Sequence, residues 1–153
     1  MERSGTSWSG TEPAVLIIAY GNPLREDDGV GWAVAAALEG CPGVEVQAVH
    51  QLLPELVEAL SRASSVVFVD ARRDGTPGIV RREPVLVRDG TEAMTHALDP
   101  GRLLGLCRRL YGRAPEAVVV SVSGARFGFG HALSEPVRGA VPEAARCALR
   151  PVA

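Results

Sequence analysis

Three consecutive carboxylates, Glu26, Asp27 and Asp28, are the residues of this chain that most invite a chemical reading. They follow an apolar stretch at 15–18 and the turn Gly21-Asn22-Pro23, and they precede Gly29-Val30-Gly31. Adjacent negative charges repel one another, so a turn that only joins a strand to a helix gains nothing by collecting them. Such a cluster suits a cation, a proton-transfer site, or both. Further along, His50 follows a second apolar stretch, Asp70 ends a third, and His96 lies in Thr95-His96-Ala97-Leu98. Two carboxylates and an imidazole converging from separate loops make an N/O donor set for a borderline divalent metal such as zinc or nickel.

Each of these residues also has a plainer reading. Asp27 and Asp28 at a helix mouth would complement the helix dipole, worth roughly 0.3–1 kcal/mol. Asp70 would serve as a turn or cap residue, His50 would cap its strand end, and His96 would be a surface loop histidine. What unites them is position. In open α/β sheets ligands bind beyond the carboxyl ends of the strands, and Asp27, Asp28, His50 and Asp70 all follow strand-like runs.

Those runs set the fold class. Strand patterns at 14–19, 44–49, 66–69, 79–87 and 117–122 alternate with helical patterns at 29–38, 54–61, 100–111 and 135–149. Leu103, Leu104, Cys107 and Leu110 recur at helical spacing, as do Val137, Val141, Ala144 and Ala148. Ser134 is a plausible N-cap, followed by Glu135 and Pro136 in the first turn. The alternation predicts an α/β three-layer sandwich: a mostly parallel, twisted sheet of about five strands with helices on both faces. The run at 66–69 is continuously apolar and reads as central. The run at 79–87 carries Arg81, Arg82, Glu83 and Pro84 and reads as an edge. Residues 1–13, rich in serine and glycine, read as a flexible tail, and 14–153 as one domain.

Composition excludes several function classes. The net charge of −2 gives no electrostatic footprint for nucleic acid. All 16 basic residues are arginine, so neither a Schiff-base lysine nor a P-loop lysine is present. Cys41, Cys107 and Cys147 are widely spaced and read as free thiols rather than a disulfide framework or a Cys-x-x-Cys metal site. No apolar run reaches the roughly 18 residues that a membrane span needs. Residues 1–13 lack the features of a secretory signal, and a cytoplasmic monomer is the expectation. No Gly-x-Ser-x-Gly elbow surrounds Ser121 or Ser123, and His-Glu-x-x-His is absent. Gly21-Asn22-Pro23 does not fit a dinucleotide fingerprint, and three carboxylates there would repel a pyrophosphate.

The run from Gly21 to Gly31 closely resembles the N-terminal signature of the hydrogenase maturation proteases, endopeptidases that process the large subunit of nickel–iron hydrogenases. The resemblance continues at Val69-Asp70-Ala71, at Asp74-Gly75-Thr76-Pro77-Gly78 and at Thr95-His96-Ala97-Leu98, and covers nearly all of 15–149 in order. It implies an α/β sandwich, metal ligands at Asp28, Asp70 and His96, and Asp27 as a supporting or helix-opening residue beside them. Three features depart from the usual pattern. Ala19-Tyr20 precedes Gly21, Glu26 stands where a glycine or other small residue is common, and His50-Gln51-Leu52-Leu53-Pro54 resembles one branch only.

The activity so implied is removal of a C-terminal extension from a hydrogenase large-subunit precursor after nickel insertion. Nickel would arrive with the substrate, zinc or cadmium could replace it in vitro, and the Asp/Asp/His set would sense it. Hard carboxylates with one imidazole hold nickel loosely. Water attacking a metal-polarised carbonyl is the simplest hydrolytic step, with Asp28 or Asp27 as base. Arg72 and Arg73 could grip the precursor's terminal carboxylate, or be solvated surface arginines. The alternatives are a maturation factor that binds nickel and precursor without cutting, and another metal-dependent hydrolase on the same fold.

Overall fold

Val15–Tyr20 (β1) alternates its side chains between two apolar layers, Ile17 and Ala19 to one and Leu16 and Ile18 to the other, and all four are buried. A strand buried on both faces needs helices above and below, and the chain supplies them. The computed structural model of the protein describes residues 15–89 and 98–152. β1 leads through a 3-10 turn, Glu26–Gly29, into the helix Val30–Leu38 (α1). Val44–Val49 (β2) follows, then a 3-10 turn at Pro54–Leu56 running into Val57–Arg62 (α2). Ser65–Arg72 (β3) and Val80–Pro84 (β4) precede Pro100–Tyr111 (α3), Glu116–Ser123 (β5) and Glu135–Leu149 (α4).

The sheet order is β2-β1-β3-β5-β4. β1, β2, β3 and β5 are parallel, and β4 alone runs antiparallel, along β5 at the edge. One face packs against α1 and α4 through Val34, Leu38, Val137 and Ala144. The other packs against α2 and α3 through Leu60, Leu103, Leu104 and Phe68. The three-layer α/β sandwich expected from the alternation is therefore present, and it brings the carboxyl ends of four parallel strands to one edge.

Where elements depart from the sequence pattern, the causes are local. β3 extends beyond the run at 66–69, because β5 supplies hydrogen-bonding partners from Ser65 through Arg72. The strand expected at 79–87 shortens to Val80–Pro84; the Val85 N–H still donates to the Ala117 carbonyl at 3.0 Å, and the pairing ends there because β5 begins at Glu116. α3 starts where Asp99 accepts from the Arg102 N–H at 2.8 Å and stops at Gly112, whose φ of 79° is left-handed. The expected tail at 1–13, and His96, lie outside the described residues. Among the described residues no helix is long and apolar enough to cross a membrane.

α1 sits low over the sheet because Gly31 has no side chain. A β-carbon there would come within 3.0 Å of the Val69 carbonyl oxygen and 3.3 Å of the Ala19 β-carbon. This close approach sets the height of the loop that carries the carboxylates. Gly31→Val should therefore destabilise the fold by about 1–3 kcal/mol through overpacking. Urea unfolding would show it as a lowered midpoint at unchanged slope.

Candidate active site

Leaving β1, the chain turns at Gly21, whose φ of 141° is open to glycine, and a β-carbon there would overlap the Asp28 carbonyl oxygen. The turn is pinned from both sides. Gly21 N–H donates to the Val49 carbonyl at 3.2 Å, and Trp32 Nε1 donates to the Gly21 carbonyl at 2.9 Å. Trp32 also meets the exposed His50 ring edge-on, with centroids 5.2 Å apart, so His50 packs beside this turn on the α1 side.

The three carboxylates then take three different roles. Glu26 adopts a left-handed φ of 53°, the one such non-glycine residue among those described. That conformation costs roughly 1–2 kcal/mol, and it explains why a glycine would be at home there. Hydrogen bonds to the loop after β5 hold it: Glu26 N–H donates to the Gly130 carbonyl at 2.9 Å, and its Oε1 accepts from Gly128 N–H at 2.9 Å.

Asp27 is wholly buried, 0% exposed. Its Oδ2 accepts from Ala125 N–H at 2.7 Å, Arg126 N–H at 3.0 Å and the Ser134 hydroxyl at 2.7 Å, while Oδ1 accepts from Ser134 N–H at 2.7 Å. Burial pushes this carboxyl up, but the four donors outweigh it and hold the group below the ordinary carboxylate range. Ser134 does stand at the N-cap position of α4, as the sequence suggested. Its hydroxyl, however, is spent on Asp27 rather than on the helix.

Asp28 is partly exposed and faces the sheet edge. Its Oδ2 accepts from Asn22 N–H at 2.7 Å. Asp70, on β3, stands close enough for the Asp28 charge to act on it. Burial pushes the Asp70 carboxyl up to about 6; the Ala71 N–H and the Tyr20 hydroxyl donate to it and oppose that rise, and Asp28 adds to it. The Tyr20 phenol is itself pushed far up, by burial and then by the Asp70 charge, so it stays protonated and serves as a donor.

Asp28 and Asp70 are thus brought together, while Asp27 faces the loop after β5 through Ala125, Arg126 and Ser134. His96 lies outside the described residues, and no cluster of three or more metal-ligating side chains forms among those described. Arg72 is held by Asp74 at 3.0 Å and Glu83 at 3.6 Å, which removes it as a free carboxylate grip, whereas Arg73 is exposed. Sequence reasoning missed Tyr20 as a donor to Asp70 and the whole loop 124–134. The signal for that loop was available: it follows β5, a parallel strand whose carboxyl end lies on the same edge.

Solved structures share this fold. The hydrogenase maturating endopeptidase HybD of E. coli matches with a TM-score of 0.71 at 20% identity, covering 89% of this chain and 90% of that one. The [NiFe] hydrogenase maturation protease HybD of Thermococcus kodakarensis matches with a TM-score of 0.67 at 25% identity, over 88% and 96%. The maturation protease HycI of the same organism gives 0.67 at 23% identity, over 91% and 90%. No protein-family model matches the chain, and no curated protein matches it by sequence. Motif and fold lead to the same place: the family this chain resembles is the hydrogenase maturation proteases.

Two stability measurements separate the carboxylates. Asp27→Asn puts an NH2 or an emptied lone pair against donors that now meet a charge, and should cost at least about 3 kcal/mol at pH 7. Because the folded carboxyl titrates below its unfolded value, that gap is full above pH 4 and should narrow as pH falls further. Asp70 has the opposite sign. Its folded carboxyl titrates near 6 against 3.8 in the ordinary state, so the fold loses stability as pH rises through that window. With chelator present, Asp70→Asn should be more stable than the parent by roughly 2 kcal/mol at pH 7 and equal to it below pH 4. Urea unfolding between pH 3 and 7 checks both.

Proposed function

We propose that this chain is an endopeptidase that removes the C-terminal extension of a nickel–iron hydrogenase large-subunit precursor once nickel is in place. The observation that supports it best is the pairing of Asp28 and Asp70 at the carboxyl edge of a sheet that hydrogenase maturation endopeptidases share. A carboxyl whose ionisation is disfavoured by burial and by the neighbouring Asp28 charge is poised for a cation or a proton, and structural ion pairing does not explain it. In this reading the nickel is part of the substrate, and Asp28, Asp70 and His96 are the residues that meet it.

The donor set fits that task. One Asp28 oxygen is held by the Asn22 N–H and the other has no donor among the described residues, so it remains available. Asp70 is fixed in orientation by the Ala71 N–H and the Tyr20 hydroxyl. A bound divalent ion would supply Lewis-acid polarisation of the scissile carbonyl. Of the two candidate bases read from the sequence, we assign the role to Asp28. Asp27 has both oxygens taken by N–H and O–H donors and no path to solvent, whereas Asp28 keeps one oxygen open and takes the proton of an attacking water when that oxygen is not coordinating the metal. The substrate is a protein, so no nucleic acid or membrane partner enters the scheme, and a cytoplasmic monomer is proposed.

Asp28→Asn and His96→Ala should each reduce processing of nickel-loaded precursor by about 100-fold or more, by loss of the base or of metal contact. Both should retain the parent's circular dichroism and a urea midpoint within about 1 kcal/mol of it, so that any loss of processing is read as loss of site chemistry rather than of fold. Near-normal cleavage by either variant would remove that residue from the site.

A further inference from the structure

The loop after β5 carries two phenylalanines that the core does not use. Phe129 is 85% exposed, and Leu24, whose carbonyl accepts from Gly130 N–H at 2.8 Å, is 52% exposed. Both stand on the paired loops 22–28 and 124–134 that frame Asp28. Each phenylalanine has an arginine laid against it. Arg25 donates through Nε and a terminal nitrogen to the Phe127 carbonyl at 3.2 and 3.1 Å, and its guanidinium carbon lies 4.5 Å from the Phe129 ring centroid. The guanidinium carbon of Arg73, three residues beyond Asp70, lies 4.2 Å from the Phe127 ring centroid.

These two arginines differ from many others in the protein. Arg62, Arg72, Arg88, Arg102, Arg108 and Arg126 each lie within 4.0 Å of a carboxylate, whereas among the described residues Arg25 and Arg73 do not. Of the carboxylates on these loops, Asp27 is buried, and Glu26 accepts from Gly128 N–H and approaches Arg126 at 3.9 Å. A guanidinium stacked on a ring keeps donors free at its edge, and the stacking has already removed much of its rotamer freedom. Capture of a carboxylate by such a group costs less ordering than capture by a free side chain. Beside these charges, Leu24 and Phe129 offer apolar surface that water contacts in the free protein.

The geometry points to this lip as the docking surface for the substrate protein, and to an acidic segment bearing an apolar side chain as its occupant. Carboxylates of that segment meet Arg25 and Arg73, and its apolar side chain covers Leu24 and Phe129. The inference rests on the endopeptidase reading in one respect, that the segment belongs to the precursor's C-terminal extension.

The test uses Arg73→Glu and Phe129→Ser, two exposed positions whose replacement leaves Asp27 and its four donors in place. The probes are nickel-loaded precursor and a fluorescein-labelled peptide of its extension, in acidic form and with its acids changed to lysine. For parent protein, anisotropy should show the acidic peptide binding at least tenfold more tightly than the lysine form, and each variant should weaken it by about tenfold or more. Processing by the variants should lose kcat/KM through KM. The lysine-form precursor should restore KM with Arg73→Glu. Variants that bind and process with the parent's KM would overturn the lip while leaving the endopeptidase reading intact. A parent that binds the acidic peptide through Arg73 but never cuts would sink the endopeptidase reading and keep the lip. Equal binding of acidic and lysine peptides would overturn the choice of occupant.

Discussion

One buried carboxylate organises the functional edge of this protein. Asp27 sits out of water and stays ionised because four donors from 125–134 close around its two oxygens. An isolated buried carboxylate would cost several kcal/mol or take up a proton, so the fold cannot keep this charge without that loop. The dependence runs both ways. Asp27 in turn gives the Ala125, Arg126 and Ser134 backbone N–H groups their acceptor, and of these Ser134 is buried. Residues about a hundred positions apart in sequence are thereby tied into one unit.

From that tie the properties of the neighbouring residues follow. Glu26 is held in a left-handed conformation because the same loop hydrogen-bonds its backbone and its side chain. Asp28, next in the chain, is turned away from the loop toward β3, with Asn22 fixing one oxygen. Asp70 comes to meet it from a strand end where burial and the Asp28 charge both disfavour ionisation. Three neighbouring carboxylates therefore become a strained turn residue, a buried anchor and a carboxylate left open at the sheet edge, a division set by which donors each can reach. The arginines of the same loops extend this outward, since Arg25 is fixed on the Phe127 carbonyl that the Asp27 anchor positions.

Much of this was legible in the sequence. Hydrophobic alternation gave the strands and helices, and α3 and α4 fall where the periodicity of Leu103–Cys107 and Val137–Ala148 put them. The rule that ligands gather beyond strand carboxyl ends pointed to Asp27, Asp28, His50 and Asp70 together. What could not be read was which of three adjacent acids would be buried. Residue type and spacing are alike for all three, and the answer lies in donors supplied by 125–134. Ser134 takes the N-cap position read from the sequence, but where its hydroxyl goes is set by the tertiary contact to Asp27 and carries no local signal. Ala19 followed by Tyr20 read as a departure from the family pattern before Gly21, while the fold uses the Tyr20 phenol to orient Asp70. Arg72 and Arg73 are indistinguishable as a dipeptide. Arg72, the last residue of β3, is held by Asp74 and Glu83, whereas Arg73, just past the strand, lies over Phe127.

The most direct measurement mixes purified protein with hydrogenase large-subunit precursor, either nickel-loaded or nickel-free, and follows the intact mass of the precursor. Loss of a C-terminal peptide from the nickel-loaded form alone is the predicted result, because Asp28 and Asp70 then meet a metal only when the substrate brings it. Equal cleavage of both forms would contradict the metal-gated account, and an unchanged mass in a stable complex would contradict the protease itself.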